Sequence, residues 1–441
     1  MNGANRLRLF DLTMIVIGLV IGMGIFRTSV DAASAASAPL VYFAAWIIGG
    51  FISICGAMTY AEIGARYPVT GAYYRVFSYA YHPAIAFAIN ISILVSNAAS
   101  IGGVALIGAG YVLPVFTENS SPLMEQAVAI SAILLFFFIN LKGLRLSSNT
   151  QNVLMIIKIC MLLVVIGALF LPDIHQADLK SLAVLPDETL TETISSLGVA
   201  LVAVSFSYGG YQQTINFGSE VNAAQRNIPR AINRGMLVVI VLYLLTNLSY
   251  YFVLGYDNLQ TSREVAATVI GKMFGNEGSV IFSLFLFLSV LAYVNVNLLS
   301  NPRVMYAMST DGVFPRSFAK RNEHSGVYSI SLAVYTLVSI LVVFFAETFE
   351  RILSFSIFLD CFGFVASGIA LFILRKRTRE LDGKVYNIRW YPLIPILFIA
   401  AYVFVGAAIA VNTPSIAGTG MVVLVVSGLA YFLIRNRAGQ P

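Results

Sequence analysis

The chain has 441 residues, of which 58% are hydrophobic and 11% are charged, and its mean hydropathy is +0.83. About a quarter of the residues of a soluble domain are charged, because its surface must face water, so this composition excludes a soluble globule and indicates a membrane protein. The three cysteines lie in apolar stretches and the three histidines lie apart, which argues against a disulfide framework and against a histidine and cysteine metal site. We therefore expect neither a metal nor a cofactor.

A stretch of roughly 20 apolar residues is long enough to cross a bilayer as a helix. The sequence contains twelve such stretches, which predict an all-α polytopic membrane protein with twelve transmembrane helices. They are residues 11–37, 40–64, 84–115, 126–141, 150–171, 193–217, 232–255, 278–308, 328–346, 349–374, 391–411 and 418–434. The long third and eighth stretches are expected to tilt or to extend beyond the lipid.

Basic residues collect in the loops of one side of the membrane. That side carries 21 of the 27 lysines and arginines. They are Arg6, Arg8, Arg66, Arg75, Lys142, Arg145, Arg226, Arg230, Arg234, Arg303, Arg316, Lys320, Arg321, Arg375, Lys376, Arg377, Arg379, Lys384, Arg389, Arg435 and Arg437. The positive-inside rule then places both termini in the cytoplasm. This bias accounts for the net charge of +6 without a nucleic-acid partner.

Two spans carry glycines near their middle. The first has Gly18, Gly22 and Gly24, and the sixth has a Ser-Phe-Ser-Tyr-Gly-Gly-Tyr segment at residues 205–211. A helix broken at membrane depth frees backbone N–H and C=O groups, which a bound polar solute can satisfy, and such breaks in two halves of a chain indicate a secondary-transporter site. The alternative is close helix packing through the Gly-x-x-x-Gly pattern of the first span.

The five-span offset between the two interrupted helices suggests an internal duplication. We expect two five-helix repeats of opposite topology, residues 11–171 and 193–374, followed by two additional helices in residues 391–434. All of them form one transporter domain, residues 1–441.

The sequence resembles the amino acid-polyamine-organocation (APC) transporters, near their L-type amino acid transporter branch. Residues 22–26, Gly-Met-Gly-Ile-Phe, are similar to the family's Gly-Ser/Thr-Gly-Ile-Phe. Further matches lie in residues 60–71 at the end of span 2, 206–232 in span 6 and the following loop, and 295–315 around the end of span 8. The resemblance implies an inverted-repeat fold of the LeuT type and an α-amino acid as cargo.

The resemblance also implies a substrate site at the two breaks. It puts the substrate carboxylate on the backbone N–H groups of Met23, Gly24 and Ile25, which agrees with the attraction of anions to helix N-termini. It puts the ammonium on carbonyls near Val20, Ile21, Phe206 and Gly209. Met23 departs from the family pattern, because a hydroxyl residue usually stands there and would add a donor to the carboxylate.

Other side chains complete the expected site. By the same resemblance Phe206 is an aromatic lid and Ser207 belongs to the substrate-binding segment, although an aromatic residue in an apolar helix often only packs. Asn295 corresponds to a pocket position of L-type members, and we favour it over Asn297.

Ionisable groups at membrane depth are costly and mark candidate functional sites. Lys158 in span 5 either releases a proton during transport or holds its charge in a cation site, with snorkelling as the alternative. The resemblance favours a cation site and sodium-independent transport. Arg27 and Asp360 lie at depths of roughly 16 and 14 Å from the outer ends of their helices, so they form a candidate outer gate. The competing arrangement is an i,i+4 pair of Arg27 with Asp31.

These features predict a secondary transporter of α-amino acids that works by exchange or by proton-coupled uptake. The chain has no Walker nucleotide motif, no catalytic constellation and no evident selectivity filter, which argues against a pump, an enzyme and a channel. Neutral cargo is favoured. The alternative is antiport of a cationic amino acid or polyamine, with Asp360 as its acidic partner.

The expected partners are the amino acid substrate and the lipid bilayer. Residues 114–124 contain no cysteine, so no disulfide-linked heavy chain of the kind used by animal L-type transporters is expected. The compact termini and the missing cysteine favour a bacterial inner membrane. Glu62, Arg66 and Arg303 are interpreted as inner-gate or loop-anchoring charges.

Overall fold

The computed structural model describes residues 6–22, 24–117, 119–177, 189–262, 264–322, 325–345 and 349–437. The helices are α1 (Leu9–Val20), α2 (Gly24–Ala35), α3 (Pro39–Arg66), α4 (Ala72–Ala80), α5 (Pro83–Phe116), α6 (Pro122–Leu141), α7 (Leu144–Gly167), α8 (Leu190–Tyr208), α9 (Ala224–Leu254), α10 (Tyr256–Thr261), α11 (Val265–Ser300), α12 (Pro302–Thr310), α13 (Ser329–Phe345), α14 (Phe349–Arg377), α15 (Leu393–Asn412) and α16 (Pro414–Arg437). Met23 and His324 lie outside the described residues.

Within these ranges, 11 helical segments are long and apolar enough to cross a membrane. The predicted ninth span, residues 328–346, corresponds to the shorter apolar helix α13, which has 17 residues. At 1.5 Å per residue such a helix is about 25 Å long, somewhat less than the hydrocarbon core of a bilayer. The prediction of an all-helical, multi-span membrane protein is confirmed.

The first predicted interruption is present. Helix α1 ends at Val20 and α2 begins at Gly24, so the first span consists of two half-helices. The sixth span also breaks where the glycines predicted: α8 ends at Tyr208, and the chain continues past Gly210, with φ +112°, into a 3-10 helix, Tyr211–Asn216. A glycine is needed at that φ because a side chain rarely adopts it.

The eighth span differs from its predicted bounds of 278–308. Helix α11 begins at Val265 and carries a kink at Gly275, whose φ is +77° and where an added methyl group would meet no neighbouring atom within 4 Å. The helix then runs on to Ser300. The apolar pattern placed the start of this span at the kink, because Gly275 and the polar residues after it resemble a loop.

The half-helices of the first span lie inside the bundle. Helix α1 packs against α7 and α9, and α2 packs against α8. Trp46, Tyr208 and Tyr243 form an aromatic cluster beside them, with ring centroids 5.2 to 5.9 Å apart. Each of these rings is fully buried. The cluster supports the two interrupted spans from one side and fixes the distance between them.

Candidate functional site

The two interruptions touch each other at the centre of the bundle. Gly210 lies against the Leu19 carbonyl so closely that a methyl group at Gly210 would overlap it. Tyr243 of α9 joins the same two segments, because its hydroxyl lies 3.0 Å from the Val20 carbonyl and 3.3 Å from the Ser207 carbonyl. The end of α1, the end of α8 and the start of the 3-10 helix therefore meet at one point.

Helix α2 begins at this junction. Its first N–H groups, those of Gly24, Ile25 and Phe26, have no carbonyl partner within the helix and carry the positive end of the helix dipole. Gly24 packs on α8, where an added methyl group would lie 2.9 Å from the Ser207 Cα. A hydrogen bond joins the hydroxyls of Thr28 and Ser207 across the same contact. The junction thus presents an anion-binding helix end held tightly against the second broken span.

Lys158 lies at the other side of the break. Its fully buried side chain reaches from α7 and donates a hydrogen bond to the Ile21 carbonyl at the end of α1. A cation at a helix C-terminus offsets the negative end of the helix dipole. The Ile21 carbonyl, which the family resemblance assigns to the substrate ammonium, faces the Lys158 ammonium in this structure, and Ile21 does not line the cavity described next.

A small cavity of about 30 Å³ lies between the two breaks. Five of the expected substrate-site and gate residues line it: Val20, Gly24, Phe206, Gly209 and Asp360. A volume of this size holds one or two water molecules. An amino acid therefore needs the surrounding helices to separate before it can enter.

Three other expected site residues lie off the cavity. Ile25 is fully buried in the first turn of α2, and its carbonyl accepts the Ser29 hydroxyl at 2.9 Å. Ser207 makes the contact with Thr28. Asn295 belongs to a separate network, in which it donates to the Gln151 side chain at 2.8 Å and accepts from Asn140 at 2.9 Å.

The structure places Asn297 on this cavity and the favoured Asn295 off it, and a role of Asn295 in substrate binding stays a prediction. Two residues along a helix correspond to a rotation of about 200°, so the two asparagines point to opposite sides of α11. Asn297 lines the cavity. It accepts a hydrogen bond from Gln213 at 3.4 Å.

Two further amides on this cavity, Asn97 and Gln213, were not predicted from the sequence, and together with Asn297 they form what we call the amide wall. Gln213 donates to Asn97 at 3.3 Å, Asn97 donates to Asn301 at 2.8 Å, and Asn301 donates to Gln213 at 3.3 Å. Ser100 follows Asn97 by one helical turn and lines the cavity too. Polar residues spaced three apart inside an apolar span were the available signal, since such residues face the bundle interior.

The expected outer gate pair is not formed in this structure. Arg27 Nε lies 3.8 Å from the Asp31 carboxylate, which is the competing i,i+4 arrangement. No ion pair joins Arg27 to Asp360 within the described residues. Asp360 instead faces the cavity beside the amide wall.

Two buried charge clusters occupy the end of the bundle that carries Arg8, Arg66, Arg303 and Arg375, which we call the basic end. Each has a carboxylate at its centre. The first centre, Glu62, is fully buried and accepts hydrogen bonds from Arg66 at 2.7 Å, from Arg375 at 2.7 Å and from the Ile388 backbone at 2.8 Å.

Glu220 is the centre of the second cluster. It lies 2.7 Å from the Arg303 guanidinium and accepts the Tyr328 hydroxyl at 3.3 Å. Arg303 also stacks over the Phe217 ring, 4.4 Å from its centroid. These contacts tie the segment after α8 to α12, so the interpretation of Arg303 and Glu62 as loop-anchoring charges agrees with the contacts seen.

Comparison with known proteins agrees with this architecture. The family model described as amino acid permease matches residues 7–433. A serine/threonine exchanger of Bacillus subtilis (strain 168) is 27% identical over 438 residues, which cover 97% of this chain and 96% of the relative. The Asc-type amino acid transporter 1 of Homo sapiens is 24% identical, covering 95% of this chain and 80% of the relative.

The cystine/glutamate transporter of Homo sapiens is also 24% identical, covering 95% of this chain and 83% of the relative. The matched region contains both interrupted spans, the cavity between them and both charge clusters. The family implies a fold of the LeuT type and a transporter rather than an enzyme. The chain belongs to the amino acid permease family of the APC superfamily and is an integral, multi-pass amino acid transporter.

Proposed function

We propose that this protein is a sodium-independent carrier of neutral α-amino acids that works by alternating access, through exchange or proton-coupled uptake. The observation that carries the proposal is the junction of the two broken spans, with the Lys158 ammonium on the Ile21 carbonyl. Carbonyls freed by a helix break are groups that would otherwise suit a sodium ion. A fixed ammonium at that position supplies the positive charge without sodium.

The substrate carboxylate is proposed to bind the first N–H groups of α2 at Gly24 and Ile25, with Met23 as a third donor. The ammonium is proposed to bind carbonyls of Val20, Phe206 and Gly209 that border the cavity. A carbonyl accepts two hydrogen bonds, so the bond from Tyr243 to Val20 leaves a lone pair for the ammonium. Phe206, which lines the cavity, is the proposed lid.

The amide wall supports a small polar side chain on the cargo. Asn97, Gln213 and Asn297 offer both donors and acceptors, and a buried amide prefers a hydroxyl to a hydrocarbon because it then keeps its hydrogen bonds. Serine and threonine are the first candidates. The name of the Bacillus relative, a serine/threonine exchanger, is consistent with this choice.

Twelve spans arranged as two inverted repeats, residues 11–171 and 193–374, are part of the proposal, with residues 391–434 as two further helices. The distribution of basic residues supports cytoplasmic termini. The lack of a cysteine in residues 114–124 favours a bacterial inner membrane. The three cysteines lie in α3, α7 and α14, away from the loop between α5 and α6, which supports function without a disulfide-linked subunit.

Uptake into proteoliposomes tests the proposal. Labelled serine, threonine, leucine and arginine are offered in sodium and in choline buffer, with and without unlabelled amino acid trapped inside. We expect saturable uptake of a neutral amino acid that is equal in the two buffers. A strict sodium requirement would exclude the role of Lys158, and a lack of saturable uptake of any amino acid would exclude the cargo.

A cationic amino acid or polyamine is the second candidate, because Asp360 lines the cavity and carries no ion pair in the described part of the chain. A carboxylate there would pair with a basic side chain. Competition separates the two: unlabelled arginine in excess should leave serine uptake unchanged if the cargo is neutral. Strong inhibition by arginine, lost in Asp360→Asn, would favour the cationic cargo.

A further inference from the structure

Asp360 is the one ionisable carboxylate among the described residues that line the cavity. It lies on α14, and no hydrogen bond or ion pair to its carboxylate occurs in the described ranges. Lys158 is engaged by the Ile21 carbonyl and does not line the cavity. Arg27 lies beside Asp31. The cavity therefore holds a carboxylate but no side-chain cation.

The groups around Asp360 are neutral. Titratable side chains within electrostatic range come from α3, α4, α11, α13 and α15, together with the adjacent cysteine of α14. They are Tyr60, Tyr73, Tyr293, Tyr335, Tyr402 and Cys361. Phenols and thiols are uncharged near neutral pH, so none of them balances a carboxylate. Helices α5 and α11 and the segment after α8 contribute the amide wall, which does not titrate.

An unbalanced carboxylate at membrane depth is costly, and a ligand that removes or balances its charge is favoured there. Zwitterionic cargo has no net charge, and its own carboxylate and ammonium are matched by the helix ends of the proposed site. A proton is the smallest ligand that neutralises Asp360. Because Asp360 lies on the wall of the cavity, the proton and the cargo share one chamber, which opens to one side of the membrane at a time.

We propose that Asp360 is the proton-binding site that couples amino acid uptake to an inward proton gradient. The carboxylate takes up one proton when the cavity faces the outside and releases it as water enters from the inside. The proposal rests on the proposed function and decides between its two modes. Exchange needs no change in the protonation of Asp360 and is expected to continue without it.

The test uses the full chain in proteoliposomes with labelled serine. In one arm the vesicles are empty and the lumen is one pH unit more alkaline than the outside; in the other they contain unlabelled serine and no gradient. A tenfold ratio of proton activity supports accumulation of up to about tenfold for one proton per substrate. We expect wild type to take up labelled serine in both arms. Asp360→Asn should keep the uptake that exchanges with internal serine (counterflow) but lose the uptake driven by the pH gradient (the gradient response).

Two control variants separate Asp360 from other charges. Asp31→Asn changes an acid on α2 that does not line the cavity, and it should retain the gradient response. Lys158→Met removes the ammonium from the Ile21 carbonyl and should impair both arms, because it disturbs the helix break itself. If Lys158→Met instead lost only the gradient response while Asp360→Asn kept it, Lys158 would be the proton carrier and the proposal would be overturned.

A direct measurement avoids dependence on the folding of any variant. A pH-sensitive dye trapped in wild-type vesicles should report acidification of the lumen when serine is added outside. Counterflow without acidification would overturn the proton site but leave the transporter assignment intact. No saturable uptake in either arm would remove the proposed function itself, so the two failures are distinct.

Other outcomes with Asp360→Asn also count against the proposal. Loss of both arms in a variant that elutes like wild type in detergent would show that Asp360 binds the cargo. Retained gradient response would show that the proton binds elsewhere. Asp360→Glu, which keeps a carboxylate, should keep the gradient response with an altered dependence on external pH.

Discussion

The buried carboxylates at the basic end have hydrogen-bond and ion-pair partners within the protein, whereas the carboxylate at the cavity has none among the described residues. Glu62 accepts hydrogen bonds from two arginines and a backbone N–H, and Glu220 pairs with Arg303 and Tyr328. The carboxylate of Asp360 has neither an ion pair nor a hydrogen bond among the described residues. A buried charge whose bonding capacity is filled by the protein fixes loops in place. A charge left open toward a cavity is available to a ligand.

The largest effect that would test this comparison is on stability. Removing one partner of a buried ion pair costs about 3–5 kcal/mol, because the remaining charge is left without compensation. We expect Glu62→Gln to lower the free energy of unfolding by that amount, and Asp360→Asn to change it by less than about 1 kcal/mol, since no pairing is lost. Thermal unfolding of the detergent-purified proteins measures both. Equal destabilisation by the two variants would remove the distinction.

The next largest effect concerns Gly210. A methyl group there meets the Leu19 carbonyl and requires a φ of +112°, so Gly210→Ala should cost about 1–3 kcal/mol and abolish uptake by separating the two breaks. Gly275→Ala also requires an unfavourable φ, but the added methyl group meets no neighbour, so the loss of stability should be smaller. Gly418→Ala, in α16 with no neighbour within 4 Å, is the matched control and should behave as wild type.

A crossed result is expected for the two asparagines of α11. Asn295→Ala leaves Asn140 and Gln151 short of hydrogen bonds and should lower stability by about 1–2 kcal/mol with little change in the KM for serine. Asn297→Ala alters the cavity wall and should raise that KM with a smaller change in stability. Serine uptake kinetics and melting curves provide the two readouts. Identical profiles would mean that the cavity extends to both faces of α11.

The smallest effect is at the surface of the basic end. The hydrogen bond from Arg66 holds the pKa of Asp382 below its ordinary value of 3.8. Because the folded-state pKa is the lower one, this bond contributes stability above pH 3.8 that is lost as the pH falls through the folded value. In Asp382→Asn the free energy of unfolding should therefore fall slightly less steeply as the pH is lowered. An unchanged acid limb would show that the pair contributes nothing.

Much of the fold was readable from the sequence, because a bilayer leaves few choices for an apolar stretch. A continuous stretch of about 20 apolar residues crosses the bilayer as a helix, because only a helix satisfies all of its backbone hydrogen bonds internally. The positions of the spans and of both interruptions therefore follow from hydropathy and glycine placement. The bounds were less predictable where polar residues sit inside a helix. Gly275 and its neighbours resemble a loop, yet packing of Val265 and Ala266 in the bundle keeps the preceding segment helical.

The site was readable only in part. The interruptions and the charge at membrane depth pointed to Gly24, Phe206, Gly209 and Lys158, and the structure places the first three on the cavity and Lys158 on the Ile21 carbonyl beside it. The sequence did not show that Asn297 rather than Asn295 lines the cavity, because the face that a helix turns to its neighbours depends on rotation about its axis and apolar residues surround both asparagines in the sequence.

The sequence by itself determined the protein class, the broken spans and the candidate charges, because each of these depends on local composition against a fixed membrane thickness. Only the tertiary structure decided which partner each charge takes. By depth alone, Arg27 could pair with either Asp31 or Asp360. Lys158 could likewise donate to any free carbonyl at the break of the first span. Pairing depends on distances between helices far apart in the chain, and packing sets these distances to within an ångström.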